Sequence, residues 1–247
     1  MIRPFSELSN FIKKEKSIGC FVDTTVLFSA TYPLDSFNTE SELIFNIISR
    51  SNVLPYTNVN VRAEFLENHR RVLIAECLID FLEDFNTELN GTLLEKLKLH
   101  RTSYRRKVVE EKSIKIDIGQ IKRFRQLLSA FDWDKGDGWD LFCKDYLNAR
   151  LKPIWTSTKE VFDLNFISIR TNNENDLMLT VPQWEEAVSL MGSYGIASND
   201  AMILNMFLCS KIPILLTTDL EMAEVASKTS NGTKRIFVPD ALLTTVH

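Results

Sequence analysis

Four carboxylates stand at positions where a folded chain can use them for chemistry. Asp23 closes the short apolar run Cys20-Phe21-Val22 and is followed by two hydroxyls, Thr24 and Thr25. Asp219 closes a second run, Ile214-Leu215-Leu216-Thr217-Thr218. Glu64 lies in the first turns of a helical pattern, and Asp200 begins another just after Gly195. Each acid alone has a plain explanation: it caps a turn or a helix, where the helix dipole favours negative charge. Together they suit one cluster at the C-terminal edge of a parallel sheet, where open α/β sheets hold their ligands. Carboxylates packed without compensation repel and raise one another's pKa, and a divalent cation removes that repulsion. The donors are hard oxygens. The chain has only three histidines (His69, His100, His247), and its four cysteines (Cys20, Cys77, Cys143, Cys209) form no CxxC pair. Such a donor set suits Mg2+ or Mn2+ rather than Zn2+.

The elements that must position these acids are readable from hydrophobic patterning. Ser6 to Lys14 predicts a short amphipathic helix, and Gly19 to Asp23 a buried strand. A helix capped by Asn38 or Thr39 is expected over Glu42 to Arg50, burying Leu43, Ile44, Ile47 and Ile48. Val53-Leu54-Pro55-Tyr56 is a connector with strand character. Thr57 or Asn58 opens a helix through Glu64, with its continuation through Phe81 left open between an unbroken helix and a restart. Helices are expected after Asn90-Gly91, over Gly119 to Ala130, and over Trp139 to Leu151. Asp132 to Gly138 is a turn without EF-hand spacing. Asp163 to Arg170 alternates as a strand, and Asn172 to Asn175 reads as a loop. Thr180 is expected to cap a helix from Pro182 to Tyr194, ended by Gly195. Ser198 or Asn199 caps the helix Asp200 to Cys209. Pro213 to Thr218 is a strand, Leu220 to Lys228 a helix, and Arg235 to Pro239 a last strand. Strands alternating with helices mean a parallel sheet with helices on both faces.

Composition sets the outer bounds. The chain has 247 residues, 45% apolar and 25% charged, which is enough for a large core without metal or disulfide staples. No signal-like apolar core follows the N-terminus and no stretch reaches membrane-spanning length, so a cytoplasmic protein with reduced thiols and no membrane partner is expected. The net charge is −4, but Lys96 to Arg125 holds eleven Lys/Arg against three Asp/Glu, a local +8 that leaves −12 on the remainder. A basic block beside an acidic remainder suits a polyanion footprint next to a cation-binding centre, with a solvated helix face as the plain alternative. The candidates for phosphate contact are Lys98, Arg101, Arg105, Arg106, Lys107, Lys122, Arg123 and Arg125. Tyr104 and Phe124 can stack on bases, although their helical spacing fits core packing better.

In this pattern the sequence resembles the PIN-domain nucleases. Phe21-Val22-Asp23-Thr24-Thr25-Val26-Leu27 looks like that family's first-strand motif, and Val61-Arg62-Ala63-Glu64-Phe65-Leu66 is similar to its helix carrying the second acid. Trp184-Glu185-Glu186-Ala187-Val188, with Tyr194-Gly195-Ile196-Ala197-Ser198-Asn199-Asp200-Ala201-Met202-Ile203-Leu204, resembles its most recognisable run. Leu215-Leu216-Thr217-Thr218-Asp219 matches its Thr-x-Asp strand end. The resemblance covers about residues 18–68 and 163–240. It omits Arg70 to about Lys159, which holds most of the basic block. It also departs after the last acid: where many relatives carry Asp and Phe, this chain has Leu220-Glu221-Met222, leaving Glu221 open between an outer ligand and a solvated side chain.

The resemblance implies an α/β/α sandwich of PIN type, one domain over 1–247, with a mostly helical basic insertion at about 70–160. It implies a metal-dependent endoribonuclease acting on single-stranded RNA, with Asp23, Glu64, Asp200 and Asp219 as catalytic metal ligands. Thr25 and Thr217 then orient those carboxylates, against a plain reading as strand or turn formers. Many short relatives are toxins silenced by an antitoxin; this longer chain leaves its insertion open between a dimer surface, a dock for a protein inhibitor and a substrate clamp. A catalytically inactive PIN-fold RNA-binding or scaffold protein is the alternative function. A haloacid-dehalogenase-like phosphatase is a third, opposed by Thr25 standing where that chemistry wants a second acid. DNA as substrate stays open, because recognition of a 2′-OH is not readable in this sequence.

Overall fold

The computed structural model describes residues 1–15, 19–131, 136–167, 177–230 and 232–244. In chain order its elements are β1 (Ile2–Pro4), α1 (Leu8–Glu15), β2 (Gly19–Val22), α2 (Thr24–Thr31), α3 (Asn38–Arg50), β3 (Leu54–Thr57), α4 (Val59–Phe85), α5 (Gly91–Val109), α6 (Ile118–Ser129), α7 (Gly138–Phe142), a π-helical turn (Cys143–Leu147), α8 (Asn148–Leu151), α9 (Ile154–Val161), β4 (Asn165–Phe166), α10 (Trp184–Tyr194), α11 (Ser198–Cys209), β5 (Ile214–Leu216), α12 (Leu220–Thr229), β6 (Arg235–Val238) and α13 (Asp240–Thr244). The fold is mixed α/β, with one six-stranded sheet and helices around it. Every strand pair is parallel. Among the described residues no helix is long and apolar enough to cross a membrane.

The chain packs as two compact units, Met1–Phe65 with Thr158–His247, and Leu66–Ser157. The first holds the sheet, in the order β1-β6-β5-β2-β3-β4. β2 is apolar throughout and fully buried, as a central parallel strand must be. Phe21 on β2 meets Phe207 with ring centres 6.0 Å apart, and Phe11 meets Phe237 at 5.5 Å. A side chain at Gly19 has no room: a Cβ there would lie 2.5 Å from the Tyr56 ring and 2.9 Å from the Leu54 carbonyl oxygen. β4 pairs only with Tyr56 and Thr57, so Pro55 stands where β3 is still an edge, the place a strand tolerates proline. Lys234 is buried, donating from Nζ to the Ile212 carbonyl at 2.7 Å and lying 4.8 Å from the Phe207 ring centre. Burial pushes its ammonium down to about 8.

The second unit is helical and has its own core, which includes Leu78, Phe81 and Leu82 from α4, Leu93 and Leu97 from α5, and Ile121, Phe124 and Leu128 from α6. A reciprocal capping box starts α6: Asp117 accepts from the Gln120 backbone N–H, and the Gln120 side chain accepts from the Asp117 N–H. Phe142 and Tyr146 stack with ring centres 6.1 Å apart, and the Tyr146 hydroxyl donates to Asp84 at 2.6 Å.

Several local expectations change. The helix after Asn58 is unbroken through Phe85; it contains no glycine or proline to interrupt it. Trp139 to Leu151 is two helices joined by a π-helical turn. On α3 the buried residues are Ser41, Ile44, Phe45 and Ile48, while Leu43 is 56% exposed. The face is rotated because Phe45 stacks on Phe162, ring centres 4.0 Å apart. β1 was not foreseen: it is three residues ending in a proline, with no period to read. Of the strand expected over Asp163 to Arg170, Asn165–Phe166 forms, and Ser168 to Arg170 lie outside the described residues. The loop Asn172 to Asn175 and Asp132 to Lys135 lie outside them too.

Candidate active site

The sheet order itself locates the site. From β2 the chain steps out to β3 and then β4 on one side, and later returns to β5 and then β6 on the other. The order reverses between β2 and β5, and the crevice past the C-terminal ends at such a reversal is where open α/β folds bind ligands. Asp23 follows β2 and Asp219 follows β5 at that edge. The Asp23 N–H still donates to the Leu216 carbonyl at 3.0 Å, so the two strand ends are locked together.

Both strand-end acids are also helix caps. Asp23 Oδ1 accepts from the Thr24 N–H at 2.7 Å at the start of α2. Asp219 Oδ1 accepts from the Met222 N–H at 3.0 Å at the start of α12. Capping and clustering are therefore one arrangement, with the cap bond fixing how each carboxylate is turned. The second oxygen of Asp23 accepts two hydroxyls, Thr25 at 2.7 Å and Thr217 at 2.8 Å. Thr25 and Thr217 lie 3.3 Å from each other. Backbone N–H groups hold them in turn: Thr218 N–H donates to Thr25 and Asp219 N–H to Thr217, both at 3.0 Å.

Glu64 enters from α4. Its Oε2 accepts the Thr24 hydroxyl at 3.0 Å and also the side-chain amide of Asn199. The Asn199 carbonyl oxygen accepts from the Asn60 amide at 3.3 Å. Ser198 or Asn199 was expected as the helix cap. Position Ala197 caps α11 without any side-chain bond, and Asn199 is committed to Glu64 instead. Thr24, Asn60 and Asn199 escaped the sequence reading of the site. Asn199 directly precedes Asp200 and Thr24 directly follows Asp23, so the only signal for these two was adjacency to an acid, and Asn60, between Val59 and Val61, had none.

Electrostatics tie the acids together. Asp23 is 1% exposed. Burial pushes its carboxyl up to about 6, with the Thr25 and Thr217 hydroxyls pulling the other way and Glu64 adding to the rise. Asp200, in the first turn of α11, is pushed up to about 7, first by burial and then by the charges of Asp23, Glu64, Asp219 and Glu221. Glu221 is exposed to solvent, yet its charge reaches Asp200. The leading charges acting on Asp200 are all negative. Donor type and charge therefore fit a hard divalent cation. The geometry is not that of a closed cage: among the described residues no three His, Cys, Asp or Glu side chains converge as a metal-ligating group.

The basic residues belong to the second unit. Lys98, Arg105, Arg106, Lys122, Arg123 and Arg125 are exposed, and Arg101 and Lys107 partly so. None of the eight forms an ion pair with a described residue. Phe124 is buried in that unit's core and Tyr104 packs against it, so both rings are used in packing.

No protein-family model matches this chain, no curated protein matches its sequence, and no solved structure matches its fold.

Proposed function

We propose that the protein is a metal-dependent endoribonuclease of PIN type that hydrolyses phosphodiester bonds of single-stranded RNA. The observation that carries this is the gathering of Asp23, Glu64, Asp200 and Asp219, distant in sequence, so that the charges of the other three add to burial in pushing the Asp200 carboxyl up to about 7. Carboxylates held in mutual repulsion at a strand-order reversal are an arrangement that Mg2+ or Mn2+ relieves. When bound, such a cation supplies Lewis-acid polarisation of the phosphate and a more acidic water. Asp23, Asp200 and Asp219 are the residues to hold it, with Glu64 completing the set. Thr25 and Thr217 fix the Asp23 carboxylate, and Thr24 and Asn199 fix that of Glu64. With a carboxyl near pH 7, Asp200 is the acid whose charge state changes as a cation arrives. The exposed lysines and arginines of α5 and α6 offer sequence-independent attraction for a phosphate backbone.

One observation favours a second reading, an RNA-binding scaffold: the described acids do not close into a ligating group. Incubation of labelled single-stranded RNA with Mn2+ separates the two. Cleavage by the wild type, lost in Asp23→Asn and Asp200→Asn, is the expected result. A wild type as inactive as both variants, yet still binding the strand, leaves the scaffold.

A further inference from the structure

Beside Glu64, within the unit that holds the sheet, lies an open pocket of about 550 Å3 that the acid cluster does not use. Phe166 and Trp184 flank it, Met202 and Met206 line it, and Asn60 and Gln183 supply amides. No lysine, arginine, aspartate or glutamate is among its lining residues. The size lies within the roughly 300–1,000 Å3 of small-molecule sites. Trp184 is 56% exposed and Phe166 37%, although both are large apolar groups.

We infer that this pocket is a nucleobase subsite, taking an unpaired base of the RNA strand whose phosphate is engaged at Asp23 and Asp200. The inference rests on the nuclease reading. Three observations lead to it. First, the pocket wall is bonded to the acid cluster: Asn60 donates to Asn199 at 3.3 Å, and Asn199 donates to Glu64. Second, the sheet fixes the offset. Phe166 pairs with Thr57, and Tyr56, one residue earlier, pairs with Phe21, so Phe166 stands level with Val22, just before Asp23. Two strand spacings separate them, roughly 10 Å, the scale of a nucleotide or two. Third, the chemistry divides as a nucleotide does. The phosphate belongs with the acids and their cation, and an uncharged aromatic pocket suits a ring with a π-face and polar edges. The amides of Asn60 and Gln183 can meet those edges, while stacking on Trp184 accepts any base.

The test measures binding in chelator, where no cleavage occurs, by fluorescence anisotropy. The probes are a labelled oligouridylate and the ribose-phosphate oligomer of equal length without bases. Wild type is expected to prefer the base-bearing strand about tenfold, the loss of one stacked base. Trp184→Ala should erase that preference without changing affinity for the baseless strand, and Trp184→Phe should keep most of it. Because Trp184 is half exposed and begins its helix, circular dichroism should be unchanged in both. Equal wild-type affinity for the two strands, or a preference that survives Trp184→Ala, overturns the subsite. Self-association of the wild type that Trp184→Ala abolishes, without base preference, gives the pocket to a second copy and overturns it too. Cleavage with Mn2+ is scored separately: cutting without base preference removes the subsite alone, and base preference without cutting keeps the subsite and removes the nuclease.

Discussion

Asn199 donates its side-chain amide to Glu64 Oε2, the same oxygen that receives the Thr24 hydroxyl at 3.0 Å. Two donors on one oxygen hold this carboxylate in a fixed orientation. On the nuclease reading Asn199 is a positioning residue. Asn199→Ala should lower turnover by roughly 10–100-fold, the usual effect of removing a partner that orients a ligand. KM for RNA should change little, because Asn199 is not asked to bind the strand. Steady-state kinetics on a short RNA separate the two parameters, and a rise in KM alone would contradict the assignment.

The acid cluster's contribution to stability should fall as pH rises. Folding lifts Asp23 from 3.8 to about 6 and Asp200 from 3.8 to about 7. Between those limits these two carboxyls bind more protons in the native state than in the unfolded one, so their contribution to the free energy of unfolding decreases with pH and levels off above about 7. Asp200→Asn removes one of these groups. Relative to wild type it should gain on the order of 1 kcal/mol at pH 8, discounted for its partial exposure, and nothing at pH 4. Urea unfolding in chelator at both pH values reads the difference, and parallel curves for the two proteins would refute it.

A divalent cation should reverse that penalty. Binding to the native state alone stabilises by about 2.7 kcal/mol at a hundred times Kd, or roughly 5–10 °C in a chain of this size. Mn2+ should therefore raise the wild-type Tm, and the rise should shrink in Asp23→Asn and Asp219→Asn. A Tm indifferent to millimolar Mn2+ would remove the metal from the mechanism.

The close approach at Gly19 gives a prediction independent of function. Gly19→Ala forces its methyl into the Tyr56 ring and the Leu54 carbonyl, and a backbone oxygen cannot step aside. Overpacking of this kind costs about 1–3 kcal/mol. Equilibrium unfolding should show that loss, and in a Tyr56→Ala background Gly19→Ala should cost only the part due to the Leu54 carbonyl.

The eight basic residues, which form no ion pair with a described residue, predict salt dependence. Each phosphate contact on a single strand contributes a slope of about −0.7 in log K against log salt. Arg105→Ala,Arg106→Ala should lower the slope by about 1.4 if both meet phosphate. An unchanged slope would return α5 to the role of a solvated helix face.

Much of the sheet was legible because its central strands are written in one alphabet. Cys20-Phe21-Val22 and Ile214-Leu215-Leu216 are short, apolar on both faces and followed by polar residues, as a buried parallel strand is. Gly195 ends α10 at a positive φ of 74°, as a glycine after a helical stripe should. The rotation of α3 was not legible, since the choice between Leu43 and Phe45 depends on Phe162, more than a hundred residues away. The same holds within the site. An acid after an apolar strand is visible in one dimension, whereas the bond from Asn199 to Glu64 exists only once α4 and α11 are packed. Asn and Thr beside acids are too common to be singled out.

Asp23 and Thr217 are 194 positions apart in the chain and joined by a 2.8 Å hydrogen bond. A ribosome releases the first long before it has made the second. The first strand end thus spends most of synthesis without the hydroxyl that steadies its carboxylate, and without Asp200 and Asp219. A truncated product stopping before β5 has no complete centre. On the nuclease reading, the order in which the chain is written keeps half-made copies from cutting.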